Sequence, residues 1–369
     1  MRLMHLVHTP RHSGAEVLVR DLCLRHAADG HACAVAAFAP SAEAFKPELD
    51  KLTAAGVTLD IPDAVLGGAD RAWRYAAAIR AFKPDVIFGH SALPAIYGRL
   101  AVLLAGSKAK FISILHSGTD DYADRKLRWG ERLLQARTDQ IIAVSQSAAD
   151  SYLRRLKVSP PMRIVLNGVD LDRFYAARER RGEIRQALDL SDMDRLLLQV
   201  GRLAPVKQQR FTLEAVTPLL REDPSLKLWF AGIVEDADYA AAFEADVARA
   251  GLGDRIRFLG PRLDVPDLLS AADVYLMPSL SEAHSIAFLE AMASGPPMVA
   301  SEIESFAFAK GIEGISLIDL SSPDAAAKFA NAVREAGGRY IHAMDAYDLK
   351  ATAEQYALLA ESVVKSGAR

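Results

Sequence analysis

The sequence predicts an α/β chain of two doubly wound, parallel-sheet domains, and three observations carry that expectation. Short apolar runs alternate with helical stretches along most of the chain, which is the pattern of βαβ units. The composition, 51% hydrophobic and 25% charged over 369 residues, is globular and long enough for two domains of ordinary size. The alternation breaks once, from Val169 to Asp194, where Arg173, Arg178, Arg180, Arg181 and Arg185 crowd the chain. That stretch reads as the linker between a domain of residues 1–170 and one of residues 171–348.

In the first domain Leu3–Val7 reads as a strand. A loop from Thr9 to Gly14 leads into a helix from Ala15 to Asp29, closed by Gly30. Ala32–Phe38 is the next strand and Trp73–Phe82 a helix. Val86–Gly89, Phe111–Leu115, Ile141–Val144 and Ile164–Leu166 follow as strands, the second ending at His116 and the last at Asn167-Gly168. The second domain repeats the scheme. Strands are expected at Leu196–Gly201, Lys227–Gly232, Ile256–Leu259, Val274–Met277, Val299-Ala300 and Ile315–Ile318, with helices at Gln208–Leu220, Tyr239–Ala250 and Val265–Ala271. A last helix, Leu349 to Lys365, is free to pack back on the first domain. Ligands of such sheets sit at the carboxyl ends of the strands, and two facing domains imply a cleft. Gly14, His116, Arg202 and Glu282 all fall at such ends.

Net charge is −3, which gives no global pointer to nucleic acid. Residues 1–170 hold 22 Lys/Arg against 17 Asp/Glu, and residues 171–369 hold 22 against 30. The basic half either meets an anionic surface or reflects drift of surface charge. Cys23 and Cys33 lack metal or redox spacing, in keeping with a reducing compartment. The first residues lack the apolar region and cleavage site of a signal peptide, and no apolar run reaches the roughly 18 residues of a membrane span. A cytoplasmic protein, at most peripheral on a membrane, is expected.

Two clusters suit an anionic ligand. Glu282 and Glu290 lie eight residues apart, the first in a loop after a strand and the second on a helix ended by Gly295-Pro296-Pro297. The start of that helix offers free N–H groups and a positive dipole end. The other reading is an ordinary αβ unit with surface glutamates. Gly201-Arg202 follows a strand directly, and Lys207 lies five residues on, so two cations can converge on a diphosphate or stay solvated. Three Asp-x-Asp triplets, Asp170/Asp172, Asp192/Asp194 and Asp236/Asp238, are weak metal candidates beside turns or linkers. The nine histidines show no metalloenzyme spacing; His5 and His8 read as structural, with His8 within reach of a cleft. The loop at His12 is no dinucleotide fingerprint, which disfavours NAD. Residues 124–137 mix Arg125, Lys126, Arg128, Arg132 and Arg137 with Leu127, Trp129, Leu133 and Leu134. They form either a helix lying on an anionic membrane or a core-facing helix with solvated arginines.

Taken together, HSGAEVLVRDL from His12, VLNGVDLDRF from Val165, GRLAPVKQ from Gly201 and the run from Phe258 to Ser301 resemble the GT4 family of retaining glycosyltransferases, whose fold is GT-B: two facing Rossmann-like domains with a cleft between them. The resemblance implies that Arg202 and Lys207 neutralise the diphosphate of a nucleotide sugar. Glu282 would contact the donor sugar, Glu290 the ribose, and the amides of Ser285 and Ile286 the diphosphate. Gly14, Gly201, Arg262 and Leu263 would border the donor. His116 would face the reaction centre, and His12 and Ser13 the acceptor. No cofactor or metal is implied beyond the donor.

The sequence departs from the family pattern at several positions. Ser13 replaces a glycine of the N-terminal loop, Ser285 another, and His284 a usual aromatic. Residues 302–308 replace a glycine-rich loop, which leaves the donor's sugar open. The expected activity is sugar transfer from a UDP- or GDP-sugar to a hydroxyl of a lipopolysaccharide, exopolysaccharide or other envelope glycan. The alternatives are a nucleotide-sugar epimerase and a non-catalytic nucleotide-sugar-binding protein.

Overall fold

The computed structural model describes residues 1–116 and 121–366. These form two compact units, Met1–Gly168 with Ala346–Arg369, and Val169–Asp345. The first runs β1 (Arg2–Val7), α1 (Gly14–Ala28), β2 (Ala32–Ala37), α2 (Lys46–Ala54), β3 (Thr58–Asp60), α3 (Asp70–Phe82), β4 (Val86–His90), α4 (Ala92–Ala105), β5 (Lys110–Leu115), α5 (Arg125–Leu134), β6 (Gln140–Ala143), α6 (Gln146–Leu153) and β7 (Met162–Ile164). Its strands pair in parallel in the order β3-β2-β1-β4-β5-β6-β7. Covered by helices, the central strands are almost wholly buried, which is why they read as continuous apolar runs and not as alternating ones.

The second unit runs α7 (Leu171–Glu179), α8 (Arg181–Ala187), β8 (Arg195–Val200), α9 (Gln209–Glu222), β9 (Leu226–Ala231), α10 (Ala237–Ala250), β10 (Ile256–Phe258), α11 (Val265–Ala271), β11 (Val274–Met277), α12 (Ile286–Ser294), β12 (Met298–Ser301), β13 (Ile315–Ile318) and α13 (Ala325–Glu335). Its sheet is also parallel, ordered β10-β9-β8-β11-β12-β13. The final helix, α14 (Leu349–Ser366), belongs to the first unit. His26 of α1 donates to Ala353 O at 2.9 Å, and Thr352 Oγ1 donates to Leu166 O at 3.0 Å. Gly168 seats the start of α14: a Cβ there would lie 2.7 Å from Leu349 Cα.

Among the elements that escape the sequence reading are α2, β3 and α4. α2 and β3 are short, and α4 is apolar nearly all round, so none shows a helical contrast between faces. The stretch 169–194 is not a linker. Its arginines bind α7 and α8 to their own unit: Arg185 Nη1 donates to Ala271 O and to Asp273 Oδ2, both at 2.9 Å, and Arg181 pairs with Asp273 at 2.6 Å. His8 stands just past the end of β1, not on it. The Asp-x-Asp triplets serve turns and helix starts: Asp194 accepts from Ser191 N and pairs with Lys227, and Asp236 caps α10.

Candidate active site

In the second unit β8 and β11 are neighbours, but the chain leaves β8 toward β9 and leaves β11 toward β12. A crevice opens at such a switch point, outside the carboxyl ends of the two strands. Gly201 and Arg202 follow β8, and a 3-10 turn, Pro205–Lys207, leads to Gln208, whose φ of 56° lies in the left-handed region. Buried amides hold this loop. Gln209 Nε2 donates to Arg202 O at 2.8 Å, and Gln199 Nε2 donates to Lys207 O at 2.7 Å. Thr212 Oγ1 in turn donates to Gln199 Oε1 at 2.7 Å.

The loop after β11 closes the other side, and Leu280 N donates to Val206 O at 2.9 Å. Lys207 Nζ meets Glu282 Oε1 at 2.5 Å, with side chains only 12% and 11% exposed, so one ion pair spans the switch point. Beneath it lies the buried Tyr275. Burial and then the nearby Glu290 and Glu282 push its phenol well above the usual range, so both carboxylates bear on one spot. Ser285 caps α12, its Oγ accepting from Phe288 N at 3.4 Å, and Ile286 opens the helix. Arg202, Lys207, Glu282, Glu290, Ser285 and Ile286 are thus brought to one edge. The guanidinium of Arg202 is engaged by Glu235, from the loop after β9; no motif marked that glutamate. Arg262 and Leu263 lie past β10, two strands from β8, and Arg262 Nε donates to Asp264 Oδ1 at 2.7 Å.

The atypical stretch 302–308 forms a 3-10 segment, Glu304–Ala309, that packs on α12. Phe306 stacks on Phe288 with centroids 4.4 Å apart, and Phe308 meets the same ring edge-on at 5.6 Å. Buried His284 lies against Phe308, and burial lowers its pKa to about 4. An aromatic plug therefore stands where the family pattern has a glycine-rich loop.

In the first unit the switch point lies between β1 and β4. Ser13 precedes α1 and gives its hydroxyl to Glu16, and Gly14 is the first helical residue. His12 Nε2 donates to Ala44 O at 2.9 Å, its ring edge-on to Phe45. Three histidines line up across neighbouring strands. His5 Nδ1 lies 2.9 Å from His90 Nε2, and His90 Nδ1 lies 2.8 Å from His116 Nε2. Burial lowers all three pKa values, that of His5 to about 3 and that of His116 to about 4. Only His116 was expected here. The sheet register that brings β1, β4 and β5 together leaves no trace in residue spacing.

Residues 12–173 match the family model described as Glycosyltransferase Family 4, and residues 194–336 the one described as Glycosyl transferases group 1. Over 232 residues the chain is 28% identical to the UDP-Gal:alpha-D-GlcNAc-diphosphoundecaprenol alpha-1,3-galactosyltransferase of Escherichia coli, covering 60% of this chain and 58% of that one. Over 187 residues it is 31% identical to the D-inositol 3-phosphate glycosyltransferase of Salinispora tropica, covering 47% and 39%. The chain thus spans about half the length of these curated relatives. Among solved structures, Anabaena HepE in complex with UDP and glucose superposes with a TM-score of 0.76 at 20% identity, covering 98% of this chain and 100% of that one, which establishes a common fold. With both units matched in chain order, the chain belongs to the family 4 glycosyltransferases.

Proposed function

We propose that the protein is a retaining glycosyltransferase that moves a sugar from a UDP- or GDP-sugar to a hydroxyl of a lipid-linked or other envelope glycan. The observation that carries this reading is the Lys207–Glu282 pair at the switch point, with Arg202 and the start of α12 on the same edge. Two cations and free helix N–H groups suit a diphosphate, and neighbouring carboxylates suit sugar and ribose hydroxyls. The family match and the sugar-transferring relatives, one of them acting on a diphosphoundecaprenol-linked sugar, support it.

In the reaction the bond from the sugar's anomeric carbon to the diphosphate oxygen breaks, and a bond to the acceptor oxygen forms on the same face. The acceptor's proton passes to the departing phosphate. Arg202, Lys207 and the α12 N-terminus stabilise charge as it develops on the leaving group, Glu282 orients the sugar, and Glu290 holds the ribose. Arg202→Ala and Lys207→Ala are expected to lower turnover by about 100-fold or more while circular dichroism stays unchanged. Near-native transfer by either variant overturns the reading. A thermal-shift screen over nucleotide sugars identifies the donor: a ligand at about 100 times its Kd adds roughly 2.7 kcal/mol.

The same reading places the protein in the cytoplasm, on the inner face of the membrane. Among the described residues no helix is long and apolar enough to cross a membrane. On α5, however, Trp129 and Leu133 stand 68% and 63% exposed, one turn apart, among the exposed Arg125, Lys126 and Arg132. Buried Arg99 binds Glu131 on the other face of α5 and holds the apolar pair outward. This suits an anionic lipid surface. Flotation with anionic but not neutral vesicles, weakened by Trp129→Ser with Leu133→Ser, is the expected result; equal flotation with both removes the proposal.

A further inference from the structure

We infer that His90, anchored by His5, is a positioning residue that holds His116 as the Nδ1–H tautomer, so that this ring presents a hydrogen-bond donor and not a base to an oxygen of the substrate. The substrate clause rests on the glycosyltransferase reading; the tautomer itself does not. A neutral imidazole carries one N–H donor and one acceptor nitrogen. In a chain of such rings the sense of one bond therefore sets the next. The chain joins His5 Nδ1 to His90 Nε2 and His90 Nδ1 to His116 Nε2.

Only two senses are open. If His116 Nε2 donated, His90 would accept at Nδ1 and donate from Nε2, and His5 would accept at Nδ1. His5 would then carry its proton on Nε2. That atom is buried and has no partner among the described residues. An orphaned buried N–H is among the rarest and costliest polar defects in a folded protein, more so than an unused acceptor. In the opposite sense His5 Nδ1–H donates to His90 Nε2, His90 Nδ1–H donates to His116 Nε2, and the blind end at His5 is only an unused lone pair. His116 must then carry its proton on Nδ1, which makes no hydrogen bond among the described residues.

The fold keeps the chain rigid. The rings stand nearly parallel, 25° between His5 and His90 and 21° between His90 and His116, and His5 stacks on Phe88 at 4.8 Å. Ser91, directly after His90, is held at φ 70° and ψ 172°, a region open almost only to glycine, and its N–H donates to Ile114 O at 2.9 Å. Strain of this kind persists only where the surroundings over-determine the backbone. Burial disfavours the charged form of each ring, so one proton per ring is the state to consider at neutral pH.

The test is the long-range proton–nitrogen spectrum of the full chain labelled with ¹⁵N-histidine at neutral pH, the His116 signals being assigned by their loss in His116→Asn. A protonated Nδ1 and bare Nε2 on His116 are expected. A proton on Nε2, or comparable populations of both forms, overturns the inference. His90→Phe keeps the ring packing and removes the donor to His116, and it is expected to let the Nε2–H form appear; a spectrum unchanged in that variant removes the positioning role. Should His90→Phe fail to fold, the spectrum of the unaltered chain still decides the tautomer. Sugar transfer does not enter this readout, so failure of the glycosyltransferase reading, seen with the Arg202 and Lys207 variants, is a separate outcome.

Discussion

The two switch points treat charge in opposite ways. At the second unit's, an ammonium and a carboxylate meet at 2.5 Å between loops, and a guanidinium is matched to Glu235 nearby. At the first unit's, three imidazoles are kept neutral by burial and, among the described residues, are hydrogen-bonded ring to ring. The first unit does contain a fully buried ion pair, Arg99–Glu131, but it lies between α4 and α5, away from the switch point. A polyanionic leaving group needs cations that can exchange partners. Orientation of a polar hydroxyl needs a donor of fixed direction. The contrast teaches that one fold, used twice, can carry paired charges at one switch point and neutral rings at the other.

The charged switch point depends on a close approach of backbones, and this is the place to break it. Gly232 has φ 153°, and a Cβ on it would lie 2.0 Å from Gly201 O. Gly232→Ala therefore pushes against Gly201-Arg202 and is expected to cost on the order of 4 kcal/mol, the range of severe backbone and packing defects, and to weaken nucleotide-sugar binding. A Cβ on Gly201 meets nothing nearer than Lys207 Cδ at 3.7 Å. Gly201→Ala should stay within about 1 kcal/mol of the parent. Urea unfolding of both variants measures the difference, and equal midpoints would show that the approach is not needed.

The buried pair sharpens the other side. Arg99 Nη1 donates to Glu131 Oε1 at 3.0 Å and to Thr138 Oγ1 at 2.9 Å, and Tyr152 OH donates to the same carboxylate at 2.8 Å. Arg99→Met strands a buried carboxylate and should cost about 3 kcal/mol, whereas Arg99→Met with Glu131→Leu should recover most of the loss. A double variant no more stable than the single one contradicts this account. The same variants should reduce vesicle binding, since the pair keeps Trp129 and Leu133 turned outward.

What was legible in the sequence follows the same division. The strand-to-loop positions of Arg202, Lys207 and Glu282 are local features, and α/β alternation with strong apolar runs placed them correctly on the edge of the second sheet. Glu235 and the histidine chain depend on sheet order, since His5 and His90 are 85 residues apart in sequence. No period or motif encodes such a contact. The arginine-rich stretch after Val169 was misread for a related reason. Arginine is usually a sign of solvated surface, but Arg185 is buried against carbonyls and Asp273, groups whose placement only the folded sheet provides.

The smallest expected effect is the response of the buried rings to acid. In the unfolded chain a histidine takes its proton near pH 6.5. Folded, His116 does so at about 4 and His5 at about 3, because burial disfavours the charged ring. Between those values the unfolded state binds more protons than the folded one, so stability falls as pH falls. Above about pH 6.5 both states are neutral and these rings add no pH dependence. Each fully buried ring steepens the loss by at most about 1.4 kcal/mol per pH unit inside that window. The second unit has a comparable ring in His284, with a pKa of about 4. His5→Phe should therefore shrink the drop in urea midpoint between about pH 7 and about pH 5, and His284→Phe should do so to a similar extent. Joining both changes should add, because the rings lie in separate units. An acid response unchanged by His5→Phe would mean that the first switch point titrates as freely as a solvated one, and the contrast between the two would be lost.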